Sequence, residues 1–230
     1  TGEKNTLMGA NAGDALTTGS YNVAIGHAAL STEDGHGYNT AVGFEALKTL
    51  NAGANAYNTA IGYNTGTAMT TGFNNTLIGG NAGAAMLGAT DNVLIGTYAG
   101  DAITIGIRNV AVGTSALGAE DAHGYNVAVG HGTLQTQNAG ANAYNTAVGY
   151  EAGNQISTGT NNTLIGGLAG DALTTGSQNV AIGKKALSNE DAHGRNIAIG
   201  HNSLENLNAG ADAYNVAIGY LAGQGMSTGT

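Results

Sequence analysis

One five-residue unit governs what this chain can fold into. Asn-(Thr/Val/Ile)-(Ala/Leu)-(Ile/Val/Met)-Gly occurs thirteen times, beginning at Asn5, Asn22, Asn39, Asn58, Asn75, Asn92, Asn109, Asn126, Asn145, Asn162, Asn179, Asn196 and Asn215. Successive copies are 17 residues apart, except for three steps of 19. A fixed period of this length predicts a solenoid, in which each pentad lies over the previous one and rebuilds the same surroundings. The repeat outweighs what 230 residues alone would suggest about compact domains.

Each coil is numbered here from its Asn, and coils 1 to 13 run from Asn5 to Asn215. The β-branched residues at positions 2 and 4 predict an extended strand with those two side chains on one face and position 3 on the other. Both faces are apolar, so one looks into the coil and the other requires a cover. Position 3 is Ala in most coils and Leu in Leu7, Leu77, Leu94 and Leu164. Small residues with periodic larger ones suit close approach between backbones, so position 3 is expected to meet neighbouring chains. The thin core of each coil supports the same expectation of side-by-side association, as a dimer or a trimer of closed symmetry.

Position 8 is small throughout: Ala in ten coils, and Thr65, Thr133 or Ser203 in the others. Positions 9 and 12 compensate for each other. Coils with Gly at position 9, such as those of Gly66, Gly83 and Gly153, carry Met69, Met86 and Ile156 at position 12. Coils with Leu30, Leu117 and Leu187 at position 9 carry Glu33, Glu120 and Glu190 at position 12. One internal slot per coil, filled from either backbone position, accounts for the exchange. Position 15 is mostly Gly, as at Gly19, Gly72, Gly106, Gly159 and Gly176, where a turn with positive φ is expected. The identical asparagines predict a hydrogen-bonded ladder along the stack.

Coil types recur in a four-coil block of 70 residues, giving super-repeats 5–74, 75–161 (with one extra coil at Asn92) and 162–230. The block comprises an Ala/Gly-rich coil, a Glu-Asp-x-His coil, a 19-residue coil and a coil with Tyr63, Tyr150 or Tyr220 at position 6. With no shift of composition between them, 1–230 reads as one β-solenoid domain of about thirteen coils. Stacked at ~4.8 Å per coil, these predict a rod of about 60 Å. The chain reads as a piece of a longer repetitive fibre.

Composition excludes several classes. Forty glycines without proline rule out collagen. Six scattered Lys and Arg against a net charge of −9 do not make a nucleic-acid surface. There is no cysteine, which excludes a disulfide scaffold. No apolar run reaches the roughly 18 residues of a membrane span. No Gly-Lys-Ser/Thr follows the glycines and no nucleophile–base set is present, so no cofactor and no catalysis are expected.

Segments such as Asn22-Val23-Ala24-Ile25-Gly26-His27-Ala28-Ala29 and Asn58-Thr59-Ala60-Ile61-Gly62-Tyr63 resemble the head repeats of trimeric autotransporter adhesins of the YadA type, and the resemblance extends over essentially the whole chain. It implies a left-handed parallel β-roll with three chains side by side. The 17- or 19-residue period is longer than is usual in those heads. Asn74-Asn75-Thr76-Leu77-Ile78-Gly79 and Gly13-Asp14-Ala15-Leu16-Thr17-Thr18-Gly19-Ser20 resemble repeats of bacteriophage tail fibres. Both families are homotrimeric and attach to cell surfaces. The expectation is a structural or adhesive segment of a phage tail fibre in the virion, binding a host glycan or protein receptor. The alternative is an autotransporter head on the bacterial surface. An ice-binding solenoid and a purely mechanical spacer are further rivals, the first disfavoured because position 2 is Thr in only six coils.

Three places invite a ligand. Glu33/Asp34/His36, Glu120/Asp121/His123 and Glu190/Asp191/His193 offer carboxylates and an imidazole within one turn. They read either as ligands of a divalent cation or as a solvated polar loop copied by duplication. His27, Phe44, Tyr63, His131, Tyr150, His201 and Tyr220 share position 6, a variable and therefore surface position suited to glycan stacking. The long-coil loops 51–57, 138–144 and 208–214 are the expected protrusions.

Overall fold

A computed structural model describes residues 2–229. Thirteen three-residue strands, from Thr6–Met8 to Val216–Ile218, occupy positions 2 to 4 of the thirteen coils, and no helix occurs among the described residues. The expected β-solenoid is present: within each unit strands pair in parallel with their sequence neighbours, and each residue faces its counterpart one coil away. Ala24 thus pairs with Ala41, Leu77 with Leu94, and Ala147 with Leu164. The chain divides into two compact units, the first ending at Thr114 and the second starting at Ser115.

In both units the asparagine holds one coil to the next. Its buried side-chain carbonyl accepts the backbone N–H of the following asparagine, as in Asn75 to Asn92 (3.0 Å) and Asn162 to Asn179 (2.9 Å). Its amide donates to the carbonyl fourteen residues on, closing its own coil: Asn75 to Ala89 (2.8 Å), Asn92 to Gly106 (2.9 Å), Asn162 to Gly176 (2.9 Å). The expected ladder is therefore mainly side chain to backbone. In long coil 3 the two inserted residues move that carbonyl away, and Asn39 donates to Gly37 instead.

The glycine at position 5 is required twice over. Its φ is +127° to +144° in the copies at Gly9, Gly26, Gly43 and Gly62, a region closed to residues with a Cβ. A Cβ on Gly62 would also stand 2.5 Å from the carbonyl oxygen of Gly79.

The strand faces are the reverse of the expectation. Position 3 points into its own coil: Ala24, Ala41, Leu77, Leu94, Ala111, Ala147 and Leu164 are fully buried. Positions 2 and 4 point outward and are half-exposed, with Ile61 and Ile165 about two-fifths accessible (39% and 40%). A coil this narrow has room for one methyl or isobutyl group between its strand and its turn, and two β-branched side chains per strand do not fit there. Small residues at position 3 mark a tight interior, and the β-branched pair forms the outer stripe.

Positions 9 and 12 both point inward, but they do not share a single slot: Leu47 and Leu50, and likewise Leu204 and Leu207, are fully buried together. Met69, Met86, Ile103 and Ile156 are fully buried where position 9 is Gly, and Leu30, Leu117 and Leu187 are fully buried in the other type. A Cβ on Gly66 would lie 2.8 Å from Leu77 Cδ1 and 2.9 Å from Leu47 Cδ2, so the space is occupied. Position 9 keeps a left-handed backbone whatever it carries: φ is +58° at Gly66 and +51° at Leu30. Holding leucine there costs about 1–2 kcal/mol, and burying its side chain contributes about 1.5–3 kcal/mol, so burial wins. Thr65 and Thr133 at position 8 are buried too, and each hydroxyl donates to a carbonyl of the next coil, Gly79 and Gly149 (both 2.7 Å).

Position 15 departs from expectation. Gly19, Gly72, Gly159 and Gly176 are absent from the left-handed region; what restricts them is close approach, since a Cβ on Gly72 would lie 2.5 Å from the carbonyl oxygen of Ala89. The left-handed positions are 5, 7, 9 and the residue before each Asn, including Tyr21, Tyr38 and Tyr57, together with Gly53 and Gly140 at position 15 of two long coils.

Asn92→Ala would leave the N–H of Asn109 and the carbonyl of Gly106 without their side-chain partner. At about 1–3 kcal/mol for each buried group left unpaired, the variant should lose several kcal/mol in urea unfolding. A loss under about 1 kcal/mol would show that the asparagine is dispensable.

Candidate functional site

In the Glu-Asp-x-His turns the glutamate is withdrawn from solvent, while Asp34 stays exposed and the histidines stay half-exposed. Glu33, Glu120 and Glu190 are fully buried at position 12, beneath the leucine at position 9. Glu33 Oε1 accepts the backbone N–H of His36 (3.0 Å) and lies 3.2 Å from His36 Nδ1. Its Oε2 accepts the N–H of Ala52 (3.3 Å), at the start of the long loop in the next coil. Glu190 repeats the arrangement with His193 N–H (3.2 Å) and Ala209 N–H (3.1 Å). The third copy keeps the bond from His123 N–H to Glu120 Oε1 (3.1 Å), while Glu120 Oε2 is buried with no hydrogen-bond donor.

Glu33 and Glu190 thus tie their own turns to the loop of the coil that follows. A sequence signal for this exists: each Glu-Asp-x-His coil immediately precedes a 19-residue coil. The loops 51–57, 138–144 and 208–214 are largely exposed, and a Cβ on Gly53, Gly140 or Gly210 would meet nothing within 4 Å. They are anchored at both ends, since the N–H groups of Gly37, Gly124 and Gly194 donate to Asn55 (3.1 Å), Asn142 (3.2 Å) and Asp212 (2.9 Å).

Each Glu-Asp-His set brings one ligand atom per residue within 4.8 Å of the other two. Two of the three glutamates already spend both oxygens on backbone amides, which leaves a sparse donor set for a divalent cation. Burial raises the Glu120 carboxyl above the ordinary range, opposed by the His123 N–H and the nearby imidazole. Burial likewise raises Asp101 and Asp171, opposed first by each residue's own backbone N–H.

Position 6 is exposed, as expected, and its rings are ordered into stacks. In the first unit His27, Phe44 and Tyr63 form a column with centroids 5.2 and 5.3 Å apart and planes within 13°. In the second unit His131 stacks on Tyr150 (5.6 Å) and His201 on Tyr220 (5.6 Å). A second column, missed in the sequence, stands on the residue before each Asn. Tyr21, Tyr38 and Tyr57 stack at 4.9 Å steps, Lys4 sits over Tyr21, and Tyr125 stacks on Tyr144 (5.0 Å). The signal was the 17- or 19-residue recurrence of Tyr before Asn, which places the rings in register. The two columns flank the outward stripe of positions 2 and 4.

A carboxyl held above its ordinary value favours folding at pH below the ordinary carboxyl range and loses that contribution as pH rises through the raised value. Glu120→Gln should therefore raise the urea midpoint at about pH 7 and change it little at about pH 4. Equal midpoints at neutral pH would contradict the burial effect. The buried Gln137, at the same position of coil 8, shows that the slot accepts the amide.

Among the described residues no helix is long and apolar enough to cross a membrane. Comparison of the chain with protein-family models, with curated proteins and with solved structures finds no match in any of the three.

Proposed function

We propose that this chain is a structural and adhesive segment of a phage tail fibre, a left-handed parallel β-roll that associates side by side as a homotrimer and supports attachment to a host cell surface. The observation that carries the proposal is the segregation of constant from variable residues. The repeated asparagines and the position-3 residues are buried in the inner coils, while position 6 and the long loops, which differ from coil to coil, stand outside in columns and protrusions. A scaffold of this kind displays chemistry without performing it, so the proposed mechanism is multivalent binding rather than catalysis.

The outward stripe supports the trimer. Val, Ile and Thr at positions 2 and 4 make a regular, half-exposed apolar strip on one face of each unit. Covering it gains about 25 cal/mol per Å², and a strip repeated on identical chains is most simply covered by closed symmetry. The interface proposed here therefore uses positions 2 and 4, in place of position 3. An autotransporter adhesin head is the alternative, favoured by the Asn-Val-Ala-Ile-Gly pentads themselves. A self-cleaving chaperone domain in the full-length gene product would decide for the fibre, and a membrane-anchor barrel for the adhesin.

Light scattering should give a mass about three times the 22.6 kDa of one chain. Ile61→Glu combined with Ile165→Glu should release monomers that keep their β circular dichroism. A monomeric wild type would remove the trimer from the proposal. Fluorescently labelled protein should adsorb to intact cells of some strains in a bacterial panel, and adsorption to none would remove attachment.

A further inference from the structure

Within a stack each aromatic ring covers its neighbour's face, so only a terminal ring offers an open one. One position-6 stack in each unit ends on a tyrosine followed one coil on by glycine: Tyr63 by Gly80, and Tyr150 by Gly167. Both tyrosines are 56% exposed. A Cβ on Gly80 would meet nothing within 4 Å, and one on Gly167 would approach only the Tyr150 carbonyl, at 4.0 Å. One coil further, the column resumes with exposed Thr97 and Lys184. Each unit therefore has an aromatic column with one rung missing, floored by glycine and closed beyond by a hydrogen-bond donor.

We propose that these two notches, Tyr63/Gly80/Thr97 and Tyr150/Gly167/Lys184, are saccharide subsites, each taking one pyranose ring stacked on the open tyrosine face. Two coil rises amount to ~10 Å, room for a single ring at the 5.2–5.6 Å spacing that neighbouring rungs already show. A pyranose combines an apolar C–H face with a polar rim, and the notch matches both. The tyrosine ring takes the face, and Thr97 or Lys184 reaches the hydroxyls. In the second unit Glu151 adds an acceptor beside the ring, and its carboxylate raises the Tyr150 phenol above its ordinary value. The assignment rests on the attachment function proposed above and supplies the chemical class of its receptor.

The test is saturation-transfer NMR on the intact protein with methyl β-D-galactopyranoside, whose H3, H4 and H5 share one face, and with methyl β-D-glucopyranoside. Transfer to the ring protons of at least one glycoside is expected. It should fall by about tenfold in Tyr63→Ala/Tyr150→Ala. It should fall equally in Gly80→Tyr/Gly167→Tyr, where a new ring completes the column and leaves the melting temperature unchanged or higher. No transfer to either sugar, or transfer that survives the glycine replacements, overturns the assignment. Cell adsorption by a wild type that shows no transfer would overturn the saccharide site and leave attachment standing. Transfer abolished by both double variants, in a protein that adsorbs to no cell, would keep the site and overturn attachment.

Discussion

The rest of the structure depends on one side chain doing two jobs. In the 17-residue coils the asparagine donates to the end of its own coil and accepts from the start of the next, so a single planar amide closes one turn and positions the following one. Only an amide of this length carries a donor and an acceptor close enough to the backbone for both. Because the group is buried, either bond lost would leave a backbone polar atom unpaired. The glycine four residues later is the counterpart constraint, since the bonded coils bring carbonyl oxygens to where a Cβ would sit.

Once the coils are locked at that separation, the interior is too narrow for more than a few atoms per coil. Alanine or leucine at position 3, a small residue at position 8 and the side chains of positions 9 and 12 fill it. Leucine adopts a left-handed backbone at Leu30 and Leu47 because leaving that space empty would cost more than the strain. A glutamate enters where the following coil carries a loop whose first amides need an acceptor, as Glu33 provides for Ala52. Interior chemistry and surface loops are therefore coupled, coil by coil.

Much of this was legible in the sequence. The period gave the strands, their register and the asparagine ladder, and the exchange between Gly66/Met69 and Leu30/Glu33 marked positions 9 and 12 as interior. The orientation of the strand was not legible. Both faces are apolar, and nothing in Val23-Ala24-Ile25 says that the small residue rather than the β-branched pair looks inward. Burial of Glu33 and Glu190 was hidden by their polar neighbours, because their acceptors' partners are backbone amides and backbone amides leave no mark on composition. The left-handed tyrosines at Tyr21 and Tyr38 escaped for a related reason: positive φ is ordinarily read from glycine and asparagine, and here the coil geometry holds whatever residue precedes the Asn there, Asp91 and Gln178 included.

The long coils show what such a lattice tolerates. Two residues are inserted between Asn39 and Asn58, yet Ala41 still faces Ala60 and Val42 faces Ile61 in the sheet. The asparagine re-zeroes the chain at each turn, so a local change of length is discharged into solvent before it reaches the next strand. Positional error does not accumulate along the stack. A chain built this way can lengthen, lose or reorder its turns while every remaining turn keeps its address.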